Sequence, residues 1–437
     1  MPQNDDYLGR RHERREAARK RREAEARRVR RTLFAAFLAL ILCGVAFYNL
    51  TKGIRPEKTE DVQAVATEAT EAVPEKTRPT RPVEKDPITK IHIKAAGDLN
   101  VTDSVVNAGV AIGGFDFGPV FKDVAGILSD ADLTVMNFEG NVCGEPYGTQ
   151  TTSAPIELIR SLRTCGVDLL QMANSCAINN GLNGMTATLN AIRSAGIEPL
   201  GAYATASELR NSKGYTITEV QGVKIAFVAF TKGLGGRGMP AGNEDLVNLL
   251  YKDYSTEYKE IDKDRISAIL KNVEAEKPDL SVAMLHWGSE YNEEISASQK
   301  SIKRFMLENG VDVILGSHSH LLKAIEHDTE ENTLVAYSLG DFYGDTPQPG
   351  SNYSIILDIQ VTRDNVTGET TIDGFSYTPI YIVQPDQSAS GGQRVVRIHE
   401  AMARYEGNYL GKVTPGIYSS MEYVLTRIEQ RIAEGVD

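Results

Sequence analysis

The sequence predicts an α/β fold, and three observations carry that reading. Short apolar runs alternate with longer amphipathic segments, turn residues bound the runs, and polar side chains suited to ligand binding follow the runs directly. The apolar runs are Ile91 to Ala96, Leu133 to Met136, Val167 to Met172, Val223 to Phe230, Leu280 to Leu285, Val311 to Leu315 and Leu334 to Tyr337. The segments FGPVFKDVAGILSD, MTATLNAIRSAG, IDKDRISAILKNVEAE and SASQKSIKRFMLENG read as helices. The last opens on Ser298 or a neighbouring serine as a cap and stops at Asn309-Gly310. YSIILDIQVTRD and TIDGFSYTPIYIV, joined through Asp364 to Gly368, predict an antiparallel hairpin. From Ile417 on, Met421, Val424, Leu425, Ile428 and Ile432 recur at helical spacing, which predicts a helix packed on the domain.

The chain has 437 residues, 24% of them charged and 41% hydrophobic, which excludes a small disulfide scaffold and a wholly disordered chain. Its net charge of -12 is split: residues 1–31 hold twelve Lys/Arg against six Asp/Glu (+6), and the remainder holds 35 against 53 (-18). Between these parts Thr32 to Thr51 carries no charge over twenty residues, the length of a bilayer-spanning helix. It ends Phe47-Tyr48-Asn49 rather than in a small-residue cleavage site, so it reads as an uncleaved anchor. The positive-inside rule then places 1–31 in the cytoplasm and the rest outside the cell membrane. That basic run abuts the span and is interleaved with Glu13, Glu16, Glu23 and Glu25, so it reads as a topology signal rather than a nucleic-acid arm.

Five stretches follow: a basic cytoplasmic segment (1–31), a transmembrane anchor (32–51), a disordered stalk (52–87), the folded domain (88–385) and a helical C-terminal tail (386–437). The stalk is rich in Glu, Thr and Pro and has almost no large apolar side chains with which to offset chain entropy. Cys43 falls in the span, leaving Cys143, Cys165 and Cys176, an odd number that permits at most one internal bridge.

In an open α/β sheet ligands bind beyond the carboxyl ends of the strands. Asp98 follows one apolar run, Asn137 and Glu139 a second, Asn174 a third, His286 a fourth, and His318 and His320 a fifth. Each residue has an ordinary structural explanation of its own, as a turn former, a cap or a core histidine; together they are less easily dismissed. Imidazoles mixed with carboxylate and amide oxygens suit Mn, Fe or Zn better than calcium, and six of these residues, Asp98, Asn137, Glu139, His286, His318 and His320, leave room for one or two ions. The segment KGLGGRGMPAG lacks the ending of a phosphate-binding P-loop; it reads as a plain loop or as a flap carrying Arg237 over an anionic substrate. No Gly-x-Ser-x-Gly elbow occurs, which disfavours a serine hydrolase.

The string HWGSEYNEEISASQKSIKRFMLENGVDVILGSHSH, followed by VAYSLGDF, resembles the CapA-type capsule synthesis family, also called PgsA-like. AAGDLN, ADLTVMNFEG and MANSCAINNGLNGMTATLNAIRSAGI resemble its earlier segments, so the similarity spans about residues 90 to 345. The resemblance implies the four-layer αββα sandwich of calcineurin-like metallophosphoesterases and a role in making or exporting poly-γ-glutamate or a related envelope polymer. It implies metal ligation by Asp98, His286, His318 and His320 with Asn137 and Glu139 in or beside the shell, and a pocket lined by Glu290 and Tyr291. Membrane-bound synthase components and an anionic polymer are the partners it suggests.

Three departures stand against it, one of them Asn179 where the family has an Asp. Where the family reads Ala-Asn-Asn-His, this chain reads Ala173-Asn174-Ser175-Cys176, and a thiol does not simply replace an imidazole acid. The Asn of the family's Leu-Gly-Asn-Phe is Asp341 here. Asn174 would then shift into the ligand place and Asp341 would restore a carboxylate. Three functions stay open: a capsule enzyme, a general extracellular metal-dependent phosphoesterase, and a non-catalytic polymer-binding component. Cys143 and Cys176 each lie just past a motif strand, and a disulfide between them is one expectation.

Overall fold

The structure is a computed structural model that describes residues 86–385, 392–407 and 413–434. The basic segment, the apolar run at 32–51 and nearly all of the stalk lie outside the described residues. Among the described residues no helix is long and apolar enough to cross a membrane.

In chain order the strands are β1 (Ile88–Asn100), β2 (Val110–Ala111), β3 (Gly114–Phe115), β4 (Leu133–Glu139), β5 (Leu169–Gln171), β6 (Glu198–Leu200), β7 (Thr216–Val220) and β8 (Val223–Thr231). They continue with β9 (Leu280–His286), β10 (Val313–Ser317), β11 (Ile325–Asp328), β12 (Thr333–Ala336), β13 (Asp341–Tyr343), β14 (Tyr353–Asp364), β15 (Thr370–Val383) and β16 (Arg394–Arg397). One sheet runs β16-β15-β14-β1-β4-β5-β6, with β13 parallel to the end of β1, and a second runs β11-β12-β10-β9-β8-β7. Side chains alternate across a strand, and both faces of the inner strands β8, β9 and β10 are buried. Ile225, Phe227 and Ala229 of β8 enter the core shared with β1 and β4. Ala226, Val228 and Phe230 point the other way, against Ile266 and Ile269 of helix Lys263–Glu276 and Ile302 of helix Ala297–Glu308. Burial on both faces is why these strands appear in the sequence as continuous apolar runs.

The serine cap expected before helix Ala297–Glu308 is Ser296, in a reciprocal capping box with Gln299. The expected hairpin is β14–β15, its turn held by Asp364 Oδ1 accepting from the Val366 and Thr367 amides. The single helix expected over 117–130 is instead two short helices, Gly118–Phe121 and Ala125–Ser129. Between them Asp123 is taken up by the C-terminal segment: its carbonyl accepts from Arg397 Nε at 2.8 Å and its carboxylate from Arg404 Nη1 at 2.8 Å.

The tail expected to be helical contributes strand β16 to the sheet edge before helices Ile398–Glu406 and Pro415–Ala433. Met421, Val424, Ile428 and Ile432 of the last helix are buried. Arg431, also buried, pairs with Glu293 in the loop that follows β9.

One close approach sets the position of the strand ends. Asp98 N donates to Gly340 O at 2.9 Å, and β1 shifts register against β4 between Ala96 and Asp98. A Cβ on the intervening Gly97 would lie 1.8 Å from Gly340 O, so only glycine lets the two backbones meet. Overpacking of this kind costs about 1–3 kcal/mol or more. Gly97→Ala is expected to lower the unfolding free energy by at least that amount and with it the denaturant midpoint, whereas Gly126→Ala, in a short helix with open space around it, is not expected to lower either. Equal midpoints in urea titrations of the two variants would show that the backbone approach is not needed.

Candidate metal centre

Strand register places the polar residues in two facing rows. In the first sheet Asp341 of β13 is the partner of Asp98 in β1, which is in turn the partner of Asn137 in β4; Asn100 is the partner of Glu139. In the second sheet His286 of β9 lies between Thr231 of β8 and Ser317 of β10. His318 and His320 follow in the turn after β10, both with positive φ (87° and 59°). Such a backbone costs about 1–3 kcal/mol per residue and persists only where surroundings impose it. Here Asp98 Oδ2 accepts the His318 N–H at 3.0 Å, and Ser319 O accepts from Tyr291 N at 2.9 Å.

Three carboxylates and three imidazoles therefore share one buried rim. His320 Nδ1 lies 2.8 Å from Asp341 Oδ1 and 3.8 Å from Asp98 Oδ2. His286 Nε2 lies 3.0 Å from Glu139 Oε1, with its Nδ1 3.3 Å from Thr231 Oγ1. The His286 and His318 rings are 4.3 Å apart, and Tyr291 stacks on His320 at 5.1 Å. Asn137 donates from Nδ2 to Asp98 Oδ1 (2.9 Å) and to Glu139 Oε1 (3.2 Å), so its amino group separates two carboxylates that would repel. Its amide oxygen accepts from Asn174 Nδ2 at 3.1 Å and so faces Asn174. Asn137 thus spaces the two carboxylates, in or beside the shell where the resemblance implied it would lie.

The electrostatics follow from burial. Loss of solvent, then the Glu139 carboxylate, holds Asp98 well above the usual carboxylate range; burial also raises Asp341 against the pull of His320. Burial would raise Glu139 too, but His286 beside it outweighs that and draws it well below its ordinary value. Burial would lower His320, yet Asp341 outweighs it and the imidazole is pushed up to about 10. Burial and the neighbouring His286 hold His318 well below the ordinary imidazole value.

The donor set fits a divalent cation on two counts. Ligand atoms of Asp98, His320 and Asp341 lie within 4.8 Å of one another, and His318 Nδ1 is buried with no hydrogen-bond partner. An unpartnered buried nitrogen costs roughly 1–3 kcal/mol, which a ligated ion would offset.

The expected pocket residues divide. Tyr291 covers His320, and Asp341, expected to restore a carboxylate, lies inside the cluster. Glu290 lines an adjoining cavity, and Arg237 is exposed on the Gly-rich loop beside it. Asn174 is committed to the scaffold: its Nδ2 donates to Asn137 Oδ1, Phe138 O and Gln171 O, and its Oδ1 accepts from Cys176 N. Ser175 Oγ donates to Glu139 Oε2 at 3.0 Å. Burial, then Glu139, pushes the Cys176 thiol up to about 12, so the position of the family's imidazole acid holds a protonated thiol. Sequence reasoning missed Asn100, which donates to Asp341 Oδ1 at 2.8 Å, and Thr231. Asn100 stands two places from Asp98, on the same face of one strand, a spacing that could have found it.

The family model for the bacterial capsule synthesis protein PGA_cap matches residues 92–346, which include every residue of this rim. The chain belongs to that family. Two relatives of this PGA_cap-family chain are the capsule biosynthesis protein CapA of Bacillus anthracis and the PGA biosynthesis protein CapA of Bacillus subtilis (strain 168). The first is 25% identical over 67% of this chain and 69% of its own length, the second 28% identical over 60% and 65%. A solved calcineurin-like phosphoesterase, YfkN from Bacillus subtilis, aligns over 67% of this chain and 91% of its own, at 15% identity and a TM-score of 0.39. Hairpin β14–β15, strand β16 and both C-terminal helices lie beyond the family match.

The disulfide expected between Cys143 and Cys176 does not form. Cys143, Cys165 and Cys176 are all free, with the Cys143 thiol turned to Ser153 Oγ at 3.5 Å and Cys176 set beside Ser175. Peptide mapping after alkylation in denaturant is expected to recover all three as alkylated thiols, and in the native protein at pH 8 Cys176 is expected to resist alkylation. A crosslinked peptide joining positions 143 and 176 would contradict this.

Proposed function

We propose that this chain is a membrane-anchored component, facing outward, of the synthesis or export of a poly-γ-glutamate-type capsule or related envelope polymer. Its rim then serves as a hydrolytic centre holding one or two Mn, Fe or Zn ions in a sandwich of the metallophosphoesterase kind. The family supports the polymer. The uncharged run at 32–51 with its basic flank supports the anchor and topology. The observation that carries the chemistry is the convergence of Asp98, Glu139, Asp341, His286, His318 and His320 on one buried rim.

Asp98, Asp341 and His320 would hold one ion, and Glu139, His286 and His318 would complete that site or hold a second. A bound divalent ion supplies Lewis acidity, polarising a substrate oxygen and making water a nucleophile near neutral pH. Asn137 and Asn100 fix the carboxylates, and Thr231 orients His286 by its Nδ1. Tyr291 covers His320 from one side. No imidazole stands at position 176 to protonate a leaving group, and this favours a second reading: a component that binds polymer and does not cleave it.

Elemental analysis separates these. The protein is expected to carry at least about one first-row ion per chain, with binding weakened about 10–100-fold in Asn137→Ala and abolished in Asp98→Asn. A melting temperature that rises with added Mn or Zn, by the equivalent of about 2.7 kcal/mol at a hundredfold excess over Kd, is expected in the parent and not in Asp98→Asn. Turnover of a simple phosphodiester or a γ-glutamyl oligomer that is lost in His318→Ala supports the enzyme. Metal retained without turnover favours the binding component, and failure to bind any divalent ion would overturn the hydrolytic reading.

A further inference from the structure

Beside the metal rim, and sharing His318 with it, lies a cavity of about 260 Å³, lined also by Ser175, Lys232, Gly235, Tyr258 and Glu290 among others. Lys232 stands immediately after β8, and its backbone N–H donates to His286 O at 2.8 Å, which fixes it next to the rim. Its ammonium donates to Gly288 O at 2.6 Å and sits 4.5 Å from the Tyr258 ring centroid. An ammonium has three donors, so two remain for a ligand. Glu290, which lines the same cavity, is exposed and makes no hydrogen bond or ion pair among the described residues.

The two side chains carry opposite charges in one cavity and act on each other electrostatically, yet no ion pair within 4.0 Å joins them. This separation selects among ligands. A phosphate or other dianion would be held by Lys232 and repelled by Glu290, and a simple amine would meet the reverse. A group bearing both a carboxylate and an ammonium satisfies both side chains.

We propose that the cavity between Lys232 and Glu290 is a binding site for an α-amino acid group, free or at the unblocked amino end of a chain. The carboxylate is held by the Lys232 ammonium and the ligand ammonium by Glu290. The site rests on the proposed function only in that a chain end held there would lie next to the metal rim. Its binding is measurable without catalysis.

The test is calorimetric titration of the full chain, with and without a chelator, using glutamate, N-acetylglutamate and glutamate α-amide. Saturable binding of glutamate in both conditions is expected, with each blocked analogue at least about tenfold weaker, since each loses one charged contact. Lys232→Gln and Glu290→Gln are each expected to weaken glutamate at least about tenfold. Glu290 is exposed, so that variant is expected to melt with the parent and keeps the test valid should Lys232→Gln fold poorly. A γ-glutamyl oligomer with a free amino end that binds at least as well as glutamate, and better than its acetylated form, identifies a chain end as the ligand. Exclusion of the oligomer while glutamate binds identifies the free amino acid. Equal affinity for blocked and unblocked compounds, loss of all binding with the metal, or unchanged affinity in Glu290→Gln would overturn the site. Absence of metal would sink the hydrolytic reading and leave this one to stand on the chelated measurement.

Discussion

Asp98 and Asp341 are register partners in adjacent parallel strands, both buried, with Glu139 close by. Like charges directly opposite one another weaken a sheet, and burial removes the water that would screen them. Much of the surrounding structure answers that repulsion. His320 faces both aspartates, the Asn137 amino group separates Asp98 from Glu139, and Asn100 donates to Asp341. The strained turn carrying His318 and His320 is held by the same Asp98 that it helps to neutralise. A divalent cation is the partner this arrangement lacks among its own side chains, and the unpartnered Nδ1 of His318 points to the same need.

Much of this was legible in the sequence because strand ends and chemistry coincide. Apolar runs followed at once by Asp98, Glu139, His286, His318 and His320 gave both the sheets and the edge where these side chains converge, since parallel strands deliver their next residues to one rim. The doubly buried strands β8 and β9 were readable for the same reason, as unbroken runs from Val223 and Leu280. What could not be read depends on contacts between distant segments. The break at Asp123 follows from Arg397 and Arg404, more than 270 positions away, and strand β16 forms only because β15 offers an edge. The register of Asp341 against Asp98 needs the Gly97–Gly340 approach, a tertiary event with no local signature.

The departures from the family pattern acquire physical content. Ser175 and Cys176 are not empty substitutions: the hydroxyl donates to Glu139, and the thiol lies in a setting that keeps it protonated. Asn174 holds Asn137 in its spacing role, so the segment still supports the rim while lacking an acid. Beyond the family match, the last helix binds the loop after β9 through Arg431 and Glu293, and that loop carries Glu290 and Tyr291 to the rim and its neighbouring cavity. The part of the chain outside the shared region therefore bears on the part that is shared.

The central claim is that the buried carboxylates and imidazoles are organised around an inorganic cation. Anomalous diffraction from crystals grown with manganese or zinc, recorded on both sides of the metal's absorption edge, tests it most directly. The account predicts a peak bounded by Asp98, His320 and Asp341, with any second peak beside Glu139, His286 and His318. Crystals of the intact fold that show no peak there under saturating metal, or a peak only at the surface, would contradict it.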